Sequence, residues 1–302
     1  MPVVPTNFKY KIVGNNLLTD FDEGDILKDI ALRIQHGRRL IIPIGLPQAG
    51  KSMFLASLIA YAFKRKVDGK DGDNSCNFSH VFPKEYSGVK QITDALDRND
   101  TLPSTRSNEI TIIDLDMQSR YRRRPIQITL IDLAGEDIER LIGKREDTEG
   151  TAKKIEKILA ACVAKKAIFA VITPVENGTT IGQETSFDTD EDSEMKSFID
   201  KLKQNNPKLY SLTKFLFIVS KWDTLPRNID TAKYLQYHRK QLYNEYSSSG
   251  KYGLIPYSVG NVVGNTIIDI ILRSPKNFWY TLYRWCTGQH VLPWYKRWFS
   301  NI

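Results

Sequence analysis

The sequence has few of the residues that build disulfide frameworks and metal centres. Its 302 residues include three cysteines and four histidines. Cys76, Cys162 and Cys286 are odd in number and far apart, which indicates reduced thiols in a cytosolic compartment. No metal-ligand spacing links them to the histidines. A disulfide-stapled protein is therefore excluded, and a cysteine–histidine metal site is not expected.

Long hydrophobic runs are also missing. No stretch of about 18 uncharged apolar residues occurs, so a membrane-spanning helix is not expected. The N-terminal segment MPVVPTNFKYKIVG has no basic head followed by an apolar region, so no secretory signal is expected. We therefore expect a cytoplasmic location.

The composition is that of a folded globular chain. Apolar residues make up 41% and charged residues 26%, which excludes a disordered or collagen-like protein. The net charge of +8 suits a nucleic acid, an anionic lipid or a nucleotide as ligand, although no specific nucleic-acid module is visible. The basic cluster at 120–124 and the acidic run at 188–194 are interpreted as solvated loops.

Short apolar runs alternate with amphipathic stretches along the chain. This alternation predicts an α/β protein with a largely parallel sheet. The runs 109–115 and 125–133 are separated by the basic cluster, so we expect an antiparallel hairpin with the arginines at its tip. The other expected strands are 40–44, 167–173, 215–220 and 254–258, and the expected helices are 25–36, 52–65, 151–164, 194–204 and 230–246.

The pattern also divides the chain into three parts. An N-terminal extension covers 1–37, a central domain 38–273, and an aromatic and basic tail 274–302. Two long polar segments interrupt the central part: an insertion at about 67–105 and an acidic loop at about 174–193. Loops of this length are usually functional or disordered.

A glycine-rich loop follows the first expected strand. GLPQAGKS at 45–52 matches the pattern G-x-x-x-x-G-K-[ST], with a strand before it and a helix after it. The glycines allow backbone N–H groups to turn towards phosphate oxygens, and the helix N-terminus adds its positive dipole end. Lys51 would bind the β- and γ-phosphates, and Ser52 offers a hydroxyl to Mg²⁺. The alternative is a chance match in a structural turn.

Two further motifs follow expected strands. Asp132 ends the run ITLID and can hold Mg²⁺, while Gly135 allows a backbone N–H to approach a γ-phosphate. Asp223, in SKWD, can accept hydrogen bonds from guanine N1–H and N2–H₂, a pair of donors that adenine lacks. Lys221 can lie along the base through its methylene stem. A weaker motif, Ser258-Val259, would offer a backbone N–H to guanine O6; its alternative is a strand closing into a turn.

In this order the motifs resemble the translation-factor and Ras-related (TRAFAC) class of P-loop GTPases over roughly residues 38–260. Four details resemble the bacterial double-GTPase group: the proline of GLPQAGKS, the long gap to Asp132, the segment LPST before the hairpin, and residues 277–285. The resemblance implies a P-loop NTPase fold with a mixed, mostly parallel sheet flanked by helices, and binding of GTP or GDP with Mg²⁺. The implied site residues are Gly45, Gln48, Ala49, Gly50, Lys51, Ser52, Met53, Gly135, Ser220, Lys221, Asp223, Ser258 and Val259 for nucleotide, and Ser52, Thr105 and Asp132 for metal.

The resemblance also implies catalytic roles for Lys51, Glu136 and Thr105. Thr105 would be the switch threonine that joins Mg²⁺ in the triphosphate state, with Thr101 as its rival. Two positions depart from the class. Ser220 replaces Asn or Thr and has less reach towards the phosphate loop. Glu136 stands where many relatives have a glutamine; a carboxylate there is repelled by the γ-phosphate, yet it can act as a base.

Three functions are compatible with these residues. The first is a molecular switch that hydrolyses GTP slowly and needs an arginine from a partner or from self-association, because the hairpin arginines are expected to lie away from the nucleotide. The second is a nucleotide-bound scaffold that does not hydrolyse GTP and recruits a protein partner or a membrane through its tail. The third is an ATP-dependent P-loop protein.

The C-terminal tail allows three interpretations of its own. Ser274-Pro275 is a suitable helix start, with Phe278, Leu282 and Trp285 at helical spacing. The tail is interpreted first as a helix that packs on the domain. Its alternatives are an interfacial anchor on anionic lipid and a docking surface for an effector or second subunit. A bacterial conflict or defence role is suggested by the resemblance alone.

Overall fold

A computed structural model provides the fold of the protein. It describes residues 23–63, 76–80, 88–100, 110–122, 125–147, 150–175, 190–205, 207–225, 229–248, 252–260, 262–263, 266–268, 271 and 273–292. The strands are β1 Arg39–Ile44, β2 Cys76–His80, β3 Ile110–Ser119, β4 Ile126–Leu133, β5 Ile168–Pro174, β6 Lys214–Ser220, β7 Tyr252–Pro256, β8 Val262–Val263 and β9 Thr266–Ile267. The helices are α1 Glu23–Gln35, α2 Lys51–Phe63, α3 Gly88–Asp97, α4 Gly135–Leu141, α5 Thr151–Ala164, α6 Asp190–Asn205, α7 Pro207–Tyr210, α8 Thr231–His238, α9 Lys240–Ser248 and α10 Arg273–Thr287.

The described residues form a seven-stranded sheet in the order β2-β3-β4-β1-β5-β6-β7. Strands β4, β1, β5, β6 and β7 run parallel to one another, whereas β3 pairs antiparallel with both β2 and β4. The predicted mixed, mostly parallel α/β fold is therefore confirmed. The predicted hairpin is confirmed as β3 and β4, paired from Ile110 opposite Leu133 to Met117 opposite Ile126.

Both faces of the central strands are buried, which explains their nearly continuous apolar sequences. On one face Ile41, Leu130 and Leu216 pack with α2 and α10. On the other face Ile42 and Phe217 pack in a second apolar cluster with α5 and α6. The loops at the carboxyl ends of the parallel strands therefore rest on a layer that is fixed from both sides.

The predicted insertion contains regular structure. β2 extends the sheet next to β3, and α3 buries Ile92, Ala95 and Leu96, which lie three and four residues apart. These three apolar positions occur at helical spacing within a polar stretch, and the composition of the stretch concealed them. The rest of the insertion lies outside the described residues.

The acidic run is not a solvated loop where the structure describes it. Helix α6 begins at Asp190, four residues before the expected start at 194. Asp192 is buried and accepts hydrogen bonds from the backbone of Gln241 at 2.8 Å and Leu242 at 3.1 Å, so it caps the first turn of α9. Glu194 pairs with Lys144. The interpretation of the acidic run as a solvated loop was wrong for these residues because the carboxylates have partners elsewhere in the fold. Residues 176–189 lie outside the described part of the chain.

The helix expected at 230–246 is two helices that meet at Arg239. Arg239 is fully buried, with Nε 2.9 Å from Thr173 Oγ1 and Nη2 3.0 Å from Pro174 O at the end of β5. These long-range bonds require the backbone to leave the helical path at this residue, where φ is −142°. The periodicity of the segment contains no sign of this break.

The C-terminal helix packs on the domain, as the first interpretation of the tail predicts. Phe278, Trp279, Leu282 and Tyr283 are all buried, and Trp279 Nε1 donates to Leu58 O of α2 at 3.3 Å. This apolar face is therefore not available to a bilayer. None of the helices in the described part of the chain combines the length and apolarity that crossing a membrane requires.

The hairpin tip contacts the tail at residues 290 and 291. Arg122 Nε donates to His290 O at 3.0 Å, and Ser119 Oγ donates to Val291 O at 3.0 Å. Arg122 of the basic cluster is thus used within the fold, whereas Arg120 is exposed. Arg123, Arg124 and the tail beyond residue 292 lie outside the described residues.

The helix of the expected N-terminal extension is tied to the sheet by buried charges. Arg33 of α1 and Arg38 both contact Asp114 of β3, with N–O distances of 3.0 Å. Arg38 Nη1 also lies 3.0 Å from Asp116 Oδ1. Each buried charge has an opposite partner, which is the condition under which such groups are tolerated.

Candidate nucleotide-binding site

The glycine-rich loop joins β1 to α2 at the carboxyl edge of the sheet. Two of its residues have left-handed backbones, Gln48 with φ 67° and Gly50 with φ 89°. Ala49 N donates to Leu46 O at 3.2 Å, and Phe54 N donates to Gly50 O at 2.8 Å as the helix begins. Gly45, Gly50 and Lys51 thus stand where the sequence predicted, between a buried strand and a helix N-terminus. Ser52 and Met53 follow in the first turn of α2.

Lys51 carries a buried ammonium group. Its side chain is 8% exposed, and Nζ lies 3.3 Å from Asp132 Oδ1 at the end of β4. Within the described residues Lys51 Nζ has no hydrogen-bond partner. A buried ammonium without hydrogen bonds is costly. The Lys51 ammonium is therefore suited to donate hydrogen bonds to anionic oxygens. The structure brings together the lysine and carboxylate that the sequence predicted as one site.

Gly135 lies against the backbone of the phosphate loop. A Cβ placed on Gly135 would be 2.7 Å from Pro47 N and 2.9 Å from Leu46 C, distances that real Cβ atoms do not show. Helix α4 starts at this residue. The absence of a side chain is therefore required for α4 and the loop to approach each other. This contact comes in addition to the γ-phosphate approach that the motif predicts.

The base-reading motif is bonded to the phosphate loop. Ser220 Oγ donates to Ala49 O at 2.8 Å, so the shorter hydroxyl side chain does reach the loop. Lys221 has a left-handed backbone, with φ 56°. Asp223 is exposed and lies in a single turn of 3-10 helix over Trp222–Thr224. Trp222 N donates to Tyr257 O at 3.2 Å, which joins this turn to the loop after β7.

The loop after β7 packs on the helix that follows the phosphate loop. The Tyr257 hydroxyl is 2.6 Å from Ser57 Oγ, and its ring meets Phe54 with centroids 4.9 Å apart. Burial raises the pKa of Tyr257, so its hydroxyl stays protonated for this hydrogen bond. Ser258 N donates to Ser274 Oγ at 3.0 Å. The Ser258 amide is therefore engaged within the protein, and Val259 is the candidate for a contact to guanine O6.

Glu136 forms a surface ion pair. Its Oε2 lies 3.0 Å from Arg145 Nη1, and both side chains are more than two-fifths exposed, at 41% and 45%. Arg145 also approaches Glu139 at 3.9 Å. An exposed pair of this kind contributes little stability, so Glu136 is free to change partner. The sequence analysis did not single out Arg145, because nothing in its spacing links it to Glu136.

Two expected site residues are not part of this description. Thr101 and Thr105 lie outside the described residues, so the choice between them stays a prediction. The sequence predicts a helix start at Ser274-Pro275. The helix begins at Arg273, and the Ser274 hydroxyl accepts the amide of Ser258. No sequence signal connects positions 16 residues apart on different elements.

The donor set suits Mg²⁺ with a triphosphate. Mg²⁺ is usually held by one or two protein oxygens together with phosphates and water, and Ser52 and Asp132 supply such oxygens beside Lys51. The described residues contain no group of three His, Cys, Asp or Glu side chains able to hold a metal ion by themselves. A metal here would therefore depend on the bound phosphates.

Comparison with protein families shows which family the chain belongs to. The model of the Double-GTPase 1 family matches residues 42–247, more than half of the 302 residues. The chain belongs to the Double-GTPase 1 family. The family match includes the phosphate loop, Asp132, Gly135 and the Ser220–Asp223 motif, whereas the loop at Val259 lies beyond it. The predicted P-loop GTPase resemblance, down to the double-GTPase group, is confirmed. No curated protein matches the sequence.

Solved structures with weak similarity accompany this family match. The signal recognition particle receptor SRb-GTP/SRX complex from Chaetomium thermophilum is 13% identical with TM-score 0.42, covering 81% of this chain and 97% of that one. Toc33 from Arabidopsis thaliana in complex with Mg²⁺ and GMPPNP is 10% identical with TM-score 0.42, covering 90% and 96%. The GTP-bound Ski7 GTPase-like domain from S. cerevisiae is 13% identical with TM-score 0.42, covering 83% and 50%. Because these scores are low, the assignment to the double-GTPase family rests on the family match and the site.

Proposed function

We propose that this double-GTPase family member binds GTP with Mg²⁺ and hydrolyses it slowly to GDP and phosphate as a molecular switch. The observation that carries the proposal is the buried Lys51 ammonium, 3.3 Å from Asp132 and without a hydrogen-bond partner among the described residues. It lies at the start of a helix whose preceding loop has the G-x-x-x-x-G-K-[ST] sequence. Phosphate oxygens would supply the hydrogen bonds that Lys51 lacks.

Each remaining residue has one role in the proposal. Ser52 and Asp132 would hold Mg²⁺, which when bound neutralises charge on the β- and γ-phosphates. Gly135 would approach the γ-phosphate with its backbone, and Thr105 or Thr101 would complete the triphosphate state. Asp223 would accept the two guanine donors, with the Lys221 stem along the base.

Glu136 is the proposed base for the attacking water. It follows Gly135 directly, and its partner Arg145 is exposed, so the ion pair can open at small cost. The negative charge of Glu136 would repel the γ-phosphate of bound GTP. We therefore expect slow hydrolysis of GTP. An arginine from an activating partner would raise the rate by stabilising transition-state charge.

The base preference is tested by titrating the purified protein with fluorescent GTP and ATP. We expect tighter binding of GTP. Asp223→Asn should weaken GTP and strengthen xanthosine triphosphate, because an amide can donate to the xanthine O2 where a carboxylate cannot. The matched control is Asp230→Asn, which alters the N-cap of α8 and not the base motif. Tighter ATP binding by the unchanged protein would refute the guanine assignment.

A second candidate function is a GTP-bound scaffold without turnover. The carboxylate at position 136 favours it, because many GTPases of the class carry a neutral glutamine there. Release of phosphate over many turnovers separates the two functions: the switch requires it, and the scaffold excludes it. A protein effector is expected in both cases.

A further inference from the structure

We infer that Ser274 is a positioning residue for guanine recognition: it orients the backbone amide of Val259 that would read the purine O6. This inference rests on the proposed function and adds a specificity determinant from the C-terminal helix. That helix lies beyond the family match, which ends at residue 247.

Two hydrogen bonds hold the loop after β7 from the C-terminal side. Ser258 N donates to Ser274 Oγ at 3.0 Å, and Ile271 N donates to Val259 O at 2.9 Å. Neither bond uses the Val259 amide. The peptide that carries this amide lies between the two held groups, so its orientation is restricted from both sides.

Helix α10 is a rigid support for these bonds. Ser274 itself is 8% exposed, and Phe278 and Trp279 behind it are fully buried. The Phe278 ring meets Phe54 of α2 at 5.2 Å, and Phe54 meets Tyr257 at 4.9 Å. The same loop is therefore fixed to α2, whose first residue is Lys51.

The base-reading turn is joined to this assembly as well. Trp222 N donates to Tyr257 O at 3.2 Å, and the next residue, Ser258, donates to Ser274. Ser274 thus acts on the O6 side of the base, while Asp223 would accept the N1 and N2 donors on the other. A part-buried amide that loses its acceptor is costly, so without the Ser274 hydroxyl the Ser258 amide would turn towards water and the backbone at Ser258-Val259 would shift.

The test compares GTP with 6-thioguanosine triphosphate, which keeps both donors for Asp223 and replaces O6 by a weakly accepting sulfur. Ser274→Ala in the full chain should weaken GTP about five- to tenfold, and 6-thioguanosine triphosphate less than about twofold. Ser274→Thr keeps the hydroxyl and should retain the unchanged protein's preference. Thr287→Ala, which removes a hydroxyl bonded to Tyr283 O on the same helix, is the matched control and should change neither affinity.

Equal weakening of both nucleotides by Ser274→Ala would show a structural effect alone and overturn the inference, as would no weakening. If Ser274→Ala does not fold, Ile271→Pro removes the other hydrogen bond and should lower the same ratio; an unchanged ratio overturns the inference. The unchanged protein distinguishes failure of the proposed function from failure of this inference. If it binds GTP no tighter than ATP, the proposed function fails. If it prefers GTP and this preference does not depend on Ser274, only the inference fails.

Discussion

Gly135 lacks a side chain at a place where the phosphate loop approaches closely. A Cβ here would lie 2.7 Å from Pro47 N, and the proposed function adds an approach of the Gly135 backbone to a phosphate. The motif D-x-x-G predicted the glycine for the phosphate alone. The contact with Pro47 could be found only once the two loops were placed together.

We predict that Gly135→Ala separates α4 from the phosphate loop. The added methyl must displace loop backbone rather than a flexible side chain, so nucleotide affinity should fall at least about tenfold and the free energy of unfolding by about 1–3 kcal/mol. Isothermal titration and urea unfolding measure the two effects. Gly253→Ala is the control, because its Cβ would meet Trp285 and Leu216 side chains away from the site. It should lower stability and leave nucleotide affinity unchanged; equal affinity losses in both variants would contradict the prediction.

We predict that Glu136→Gln strengthens binding of a non-hydrolysable GTP analogue about two- to fivefold relative to GDP, because in the proposed function Glu136 would place a negative charge beside the γ-phosphate. The ratio of the two dissociation constants is the measurement. Glu139→Gln is the matched control, since Glu139 shares the Arg145 partner at 3.9 Å and lies one turn further along α4. The same change in ratio for Glu139→Gln would show that general charge, and not position, is responsible.

Among the elements, α6 and α9 are joined by ion pairs around the buried Glu245. Glu245 of α9 accepts from the Tyr252 hydroxyl at 2.7 Å and lies 3.3 Å from Lys196 and 3.5 Å from Lys203. Burial by itself would raise the pKa of Glu245, but the hydrogen bonds from Tyr252 and Lys196 outweigh it and lower the pKa below 4.5. Burial also raises the pKa of Tyr210, the tyrosine bonded to Tyr252, to about 12.

The lowered pKa of Glu245 gives a pH dependence with a definite sign. Its contribution to stability is complete above 4.5, the ordinary value, and is lost as the pH falls through the lower folded-state pKa. Glu245→Gln should reduce the free energy of unfolding by about 1–3 kcal/mol at pH 7. The difference from the unchanged protein should shrink as the pH falls below 4.5. Denaturant unfolding at several pH values tests this, with the exposed Glu146→Gln as control; a difference independent of pH would contradict it.

The element boundaries show which parts of the fold the sequence pattern predicts. The helix expected at 151–164 is found as Thr151–Ala164, and the strand expected at 40–44 is Arg39–Ile44. These segments have a clear period and glycine or basic residues at their ends. The break at Arg239 and the start of α6 at Asp190 were missed because their causes are contacts with distant elements, namely Thr173 and Gln241.

Across the molecule, the end of β4 that carries Asp132 is connected to the α6 side of the fold. Helix α4 begins at Gly135; beyond its end Lys144 pairs with Glu194 of α6, and Lys201 Nζ donates to Leu141 O at 2.6 Å. Helix α6 in turn caps α9 through Asp192. This series of contacts supplies a physical connection from Gly135 to α6 and α9.

We predict that replacing GDP by a non-hydrolysable GTP analogue changes amide hydrogen exchange in α6. Glu194→Gln should reduce this change about twofold or more, because local openings depend on tertiary contacts such as the Lys144–Glu194 pair. Hydrogen exchange with mass spectrometry measures it. Lys153→Ala, an exposed change on α5, is the control. A full response in Glu194→Gln would show that the nucleotide signal does not pass through this pair.

Residue identity and spacing were sufficient to predict the family: the phosphate loop, the carboxylate at a strand end and the expected guanine-reading motif are local patterns, each built within one strand and its following turn. The alternation of apolar and amphipathic stretches predicted the α/β sheet. Folding was needed to pair Lys51 with Asp132, bond Ser220 to Ala49, bury the acidic carboxylates and bring Ser274 to the loop after β7. Those contacts join residues far apart in the chain, and their geometry depends on how the layers pack rather than on any local preference.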